Sequence, residues 1–225
     1  MSFFSGLGEF LSDAISNVGS IISNVTDILI ENLPAALEIA KVTIGVISAV
    51  VSKLSEVLEI APPNEKVDEL GVKAMQEGTR PKMEEESTQE YLDYLRNDVK
   101  LDEEKYAKMS EKEKVACEAL GTTMLAKSIE EKTGVELSPD FLLSISKAKL
   151  RYEQVEKLLQ EFSANNINSM DEFTEYISNE MTEEKAEKVG KIIEEAVREL
   201  SPDLSNEEIQ REIVEMKRNY FSENN

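Results

Sequence analysis

Residues 11–29 read LSDAISNVGSIISNVTDIL, and residues 37–58 read LEIAKVTIGVISAVVSKLSEVL. In the first stretch Leu11, Ile15, Val18, Ile22, Val25 and Leu29 are spaced alternately four and three apart, which gathers them on one face of an α-helix. In the second, Leu37, Ala40, Ile44, Ile47, Val51, Leu54 and Leu58 keep the same rhythm. Neither has the two-residue period of a strand. The alternation is that of a coiled-coil seam, and Phe3, Phe4, Leu7 and Phe10 carry the first seam toward the terminus. Between the seams lies Asn32-Leu33-Pro34. Proline fits the first turn of a helix and not its interior. The stretch therefore predicts a helical hairpin over residues 1–60, its second helix ending before Pro62-Pro63.

Charge separates this arm from the rest of the chain. Residues 1–60 hold seven of the 46 acidic residues and two of the 25 basic ones, although they make up over a quarter of the 225 residues. Neither arm helix is expected to span a membrane. The longest uncharged run of the second, Val42 to Ser52, is well short of the roughly 20 apolar residues a span needs. Ser16, Asn17, Ser20, Ser23 and Asn24 interrupt the first. A Ser/Gly/Asn face opposite Phe and Ile suits an interfacial helix, and suits equally a helix covered by protein on both sides.

Beyond the arm, Pro62, Pro63, Gly71, Gly78 and Pro81 surround one short helical stretch near Lys66–Gln76, so residues 61–87 are expected to be a linker. Residues 88–225 are expected to form an acidic helical domain, making the whole chain all-α. Ser110-x-x-Glu113, Ser169-x-x-Glu172 and Ser205-x-x-Glu208 read as capping boxes. Ser138-Pro139 and Ser201-Pro202 read as helix starts. One long helix is expected from Pro139 to Phe162, along the seam Phe141, Ile145, Ala148, Tyr152, Val155, Leu159, Phe162, with Asn165-Asn166 ending it. The segments 128–140 and 192–203 echo each other through a shared Ser-Pro-Asp junction, which capping alone can explain.

Several chemistries are excluded or disfavoured. The chain has no histidine, which removes Ser-His and Cys-His nucleophile systems and His-bearing metal sites. Its single cysteine, Cys117, cannot form an intrachain disulfide and reads as a packing residue. Glu84–Glu86, Asp102–Glu104 and Glu183-Glu184 are acid runs without a calcium-loop pattern, the usual composition of helix starts. No phosphate-cradling glycine loop is present. A net charge of −21 opposes direct binding to nucleic acid or anionic lipid. Lys147, Lys149 and Arg151 form one basic patch, for which internal ion pairing is the default expectation. The first basic residue is Lys41, so no secretory signal is expected, which points to the cytoplasm or to export by a route independent of such signals.

The expectation that follows is a non-enzymatic interaction protein without metal or cofactor. Its N-terminal hairpin would dock it on a protein partner or on further copies of itself, because the two seams and the Phe-rich end exceed what two helices bury against each other. The docking residues expected are Phe3, Phe4, Leu7, Phe10, Leu11, Ile15, Val18, Ile22, Val25, Leu29, Leu37, Ile44, Ile47, Val51, Leu54 and Leu58. A membrane-inserting effector is the alternative, and an acidic mimic of DNA a third reading that the interspersed bases weaken.

Overall fold

The structure is a computed structural model that describes residues 7–9, 37–76 and 78–222. It is all-helical, as the periodicity predicts, and the described residues contain no strand. The nearest approach to one is a single parallel bridge between Glu136 and Ser169. The chain divides into two compact units, residues 1–131 and 132–225.

The first unit is arranged about α5 (Glu111–Thr133), in whose last turn the division falls. Its middle, Val115 to Ala126, is Ala, Cys, Gly, Thr and a few larger apolar residues, and all but Glu118 are buried. A helix apolar around its whole circumference belongs in an interior. The hydroxyls of Thr122 and Thr123 donate back to the carbonyls of Glu118 and Ala119 (2.7 and 2.9 Å), so neither is left unpaired by burial.

Three helices touch α5 through named contacts. α1 (Leu37–Val57) meets it through the ion pair Lys41–Glu111 and a hydrogen bond between Ser48 and Glu118. The two contacts advance by the same two turns on both helices, so α1 and α5 run in the same direction. α2 (Val67–Met75) crosses α5 almost backbone to backbone. A Cβ on Gly71 would sit 1.9 Å from the Cys117 carbonyl oxygen, and one on Gly121 would sit 2.0 Å from that of Val67. α3 (Thr88–Asn97) is tied to the far end of α5, where the backbone N–H and hydroxyl of Thr88 donate to the Glu131 carboxylate (2.8 and 2.6 Å). A short α4 (Glu103–Lys108) precedes α5, with Asp102 as its cap.

Residues 61–87, the expected linker, lie inside this unit, and the division falls at 131/132 instead. The reason is Gly71. In sequence it reads as a breaker; in the fold it is a buried helical residue that lets α2 press against α5. The loop after α2 is also fastened. The Arg80 guanidinium makes two hydrogen bonds to Glu86 (2.8 and 2.6 Å) and lies 4.2 Å from the centre of the Tyr94 ring.

The second unit is a bundle of α6 (Pro139–Lys147), α7 (Tyr152–Ala164), α8 (Asp171–Ser178), α9 (Glu183–Leu200) and α10 (Asn206–Ser222). The single helix expected over 139–162 is in fact two. Lys149 adopts φ +56°, Leu150 N–H returns to the Ile145 carbonyl (2.9 Å) and Lys149 N–H to that of Ser146 (3.1 Å). This is a Schellman ending, closed by buried Leu150 and Ile145. The expected seam is nonetheless inside: all of it is buried except half-buried Tyr152. α6 and α8 meet through Phe141 and Phe173, edge to face at 6.0 Å, and α7 and α9 through Lys157–Glu199 (2.8 Å). On α8 and α9, a Cβ at Gly190 would come within 3.1 Å of the Tyr176 hydroxyl.

The helix-start signals divide. Ser110/Glu113 and Ser205/Glu208 form capping boxes, and Ser138 caps α6. Ser169/Glu172 does not, because Ser169 sits in the bridge with Glu136 while Glu172 pairs with Lys185. Ser201 closes α9 rather than opening a helix, and the turn at 202–203 leads to Ser205, where α10 is capped. The echo between 128–140 and 192–203 therefore ends differently in its two copies.

Candidate docking face

α1 carries the only helical part of the arm longer than three residues among the described residues. Its 21 residues hold two acids, two bases and twelve Ala, Val, Ile or Leu, more apolar side chains than one stripe can accommodate. Ala40, Ile44, Ile47, Val51 and Leu54 are buried, with Thr43, Ser48 and Ser55 beside them. The Ser55 hydroxyl is buried without a hydrogen-bond partner. Ser48 reaches Glu118, whose carboxyl is pushed up by burial against the lowering effect of that hydrogen bond.

On the other side lies a second stripe. Ile39 is 53% exposed, Val42 65%, Val46 37% and Val57 42%, with Ala49 exposed between them. Exposed large apolar residues are otherwise few and scattered: Met83, Val214 and Phe221 among the described residues. Beside the Gly45 Cα, in the same stretch, no atom lies within 4 Å of where a Cβ would be. Lys53 breaks the stripe, with its ammonium held by Glu56 one turn on.

The expected docking residues are thus distributed as follows. Ile44, Ile47, Val51 and Leu54 are buried in the fold, so in this conformation they cannot be the surface that meets a partner. They are interior because α1 lies along α5 with that face inward. Leu37 and Leu58, at the ends of the seam, are half-buried, and Leu7 is buried. Phe3, Phe4, Phe10, Leu11, Ile15, Val18, Ile22, Val25 and Leu29 lie outside the described residues. The residues that α1 does present, Ile39, Val42, Val46 and Val57, were legible as a second three-four series in the same 21 residues.

Other chemistry-bearing groups are engaged structurally. Cys117 is fully buried, 3.8 Å from the Met75 sulfur, and burial pushes its thiol up to about 12, away from nucleophilic use. The Tyr106 hydroxyl donates to Asp68, which with burial raises it to about 12. Arg80 holds the Glu86 carboxyl down at about 2. Glu183 and Glu184 stand in the first turn of α9, as Glu103 and Glu104 do in α4. No three acidic or cysteine side chains come together as a metal site among the described residues. In the basic patch, Lys147 lies 4.9 Å from the Tyr220 ring centre, while Lys149 and Arg151 are exposed at the turn between α6 and α7.

No described helix is long and apolar enough to cross a membrane. No family model, curated protein or solved structure matches the chain.

Proposed function

We propose that the protein is a non-enzymatic helical interaction protein whose N-terminal sixty residues dock it in a larger assembly. The observation that carries this reading is the two-sidedness of α1. One apolar face fastens the arm to the first unit, and a second, Ile39, Val42, Val46 and Val57, remains outward. A surface helix of a self-contained domain has one apolar stripe and a charged back. Contiguous exposed apolar surface is where partners bind. The apolar residues at 3–29 add to the same surplus.

Light scattering on the full-length chain tests this, comparing wild type with Phe3→Ser/Phe4→Ser/Phe10→Ser. The reading predicts a multi-chain mass for wild type and a lower one for the variant, with unchanged helical content. A single-chain mass for wild type at high micromolar concentration, together with no flotation on liposomes, would overturn it.

The membrane-active alternative draws on the same stripe, which is nearly uncharged and needs no anionic headgroup to enter lipid. It predicts flotation with neutral liposomes and leakage of their contents.

A further inference from the structure

We propose that the turn between α6 and α7 is a docking point for a carboxylate-bearing segment of a protein partner, gripped by Arg151 with Lys149 beside it. The chain has 46 acidic residues against 25 basic ones, so carboxylates outnumber the cations that could hold them. Five of the six arginines are so engaged: Arg80, Arg96, Arg198, Arg211 and Arg218 each pair with a glutamate, at 2.6–3.8 Å. Arg151 is the sixth. It is exposed and makes no ion pair among the described residues, and the same holds of Lys149. Two of the three members of the basic patch thus lack the internal pairing expected from sequence.

Local stability does not account for these two residues. Lys149 takes φ +56° to close α6, a place that glycine or asparagine fills at less cost. Arg151 stands in the N-cap place of α7, which Ser, Thr, Asp or Asn serves better. A cation there also faces the positive end of the helix dipole. Lys147 differs, since it lies in the last turn of α6, where the dipole favours a cation, and 4.9 Å from the centre of the Tyr220 ring. Two exposed cations side by side, each in a locally unfavourable place, mark a binding function rather than a demand of the fold.

The turn that carries them is fixed in advance. Leu150, between the two, is buried. The N–H groups of Lys149, Leu150 and Arg151 donate to the Ser146 carbonyl (3.1 Å), the Ile145 carbonyl (2.9 Å) and the Gln154 side chain (2.9 Å). A partner therefore meets an ordered backbone, which lowers the cost of binding. A guanidinium offers a planar fork that suits a carboxylate through two parallel hydrogen bonds, as Arg80 shows with Glu86. Phosphate fits the same fork, and the extent of the patch decides between them. Two cations two residues apart serve one or two carboxylates, whereas nucleic acid or a lipid surface would also lie along the acidic surface of a chain of net charge −21. A short acidic segment makes its contacts well within the roughly 8 Å over which salt screens the remaining charge. This surface belongs to the second unit and does not depend on the docking role of the arm.

Fluorescence anisotropy of a labelled hexaglutamate peptide with the full-length chain at low salt tests the inference. Arg151→Gln should weaken binding at least about tenfold, and Arg151→Lys about threefold, because the charge stays and the fork is lost. Lys149→Gly should weaken it about threefold while raising the melting temperature, which separates a role in binding from one in stability. Arg211→Gln removes the same charge from the exposed face of α10 and should change binding less than about twofold. Equal effects of Arg151→Gln and Arg211→Gln would overturn the inference, since net charge alone would then govern binding. Failure of the wild type to bind the peptide would overturn it as well. So would tighter binding of hexathymidylate, or binding to phosphatidylserine vesicles, either of which would assign the turn to phosphate groups.

Discussion

α1 and α9 are two long helices with opposite backs. Both bury one apolar stripe: Ala40, Ile44, Ile47, Val51 and Leu54 in α1; Val189, Ile192, Ile193, Ala196 and Val197 in α9. The back of α9 is charged, with Glu187, Lys188, Lys191, Glu195 and Glu199 exposed and Lys191 paired to Glu187 at 2.7 Å. The back of α1 is Ile39, Val42, Val46 and Val57. The inner faces answer to the same requirement, the exclusion of apolar surface from water. The backs differ in what they offer to the surroundings, charge on α9 and apolar surface on α1. The proposed docking role rests on this charge-poor back.

The comparison can be broken at several points. The largest effect is expected where the bed of α1 would be displaced. Gly71→Ala puts a methyl group into the Cys117 carbonyl, with no side chain to give way. It should cost about 4 kcal/mol of stability or prevent the first unit from folding, read by urea denaturation. The inner faces should behave alike: Ile47→Ala and Ile193→Ala each remove a buried side chain and should each cost about 3 kcal/mol. A negligible cost at Ile47 would mean that α1 is not part of the core. The backs should behave differently. Lys191→Ser should change stability by less than about 0.5 kcal/mol, whereas Val42→Ser should cost about 1 kcal/mol, as lost apolar burial in the docked state.

Two smaller tests concern the joints that hold the helices. Lys149→Gly should raise the melting temperature slightly, worth about 0.5 kcal/mol, because a lysine occupies the left-handed position closing α6. Glu86 is held near 2 in the fold, below the usual carboxylate range, so its bond to Arg80 stabilises above pH about 4.5. That contribution is lost as pH falls from there toward 2. The difference in stability between wild type and Glu86→Gln should accordingly shrink over that window in acid-denaturation curves.

Much of this architecture was legible in the sequence, and the misreadings have physical causes. Helicity, the end of α1 before Pro62-Pro63, and the caps at Ser110, Ser138 and Ser205 follow from local chemistry, which the fold preserves. The break at Lys149 was hidden because neither glycine nor proline marks it, and because the seam residues on both sides are buried all the same. Gly71 was misread because a glycine that loosens the chain and one that admits a neighbouring backbone are the same letter; only the helix lying against it decides. α1 shows the limit for function. Periodicity finds a stripe, but when a helix has two it does not say which of them faces inward.

The central claim is that the back of α1 is an occupied docking face, and thiol reactivity tests it most directly. Val42 and Val214, on α10, are almost equally exposed in the structure, at 65% and 60%. In a Cys117→Ala background, Val42→Cys and Val214→Cys should therefore react with a maleimide at equal rates unless something covers α1. We predict that the thiol at position 42 in the full-length protein reacts at least about tenfold more slowly, as expected of a site that must undock before it opens. Equal rates at the two positions would contradict the account.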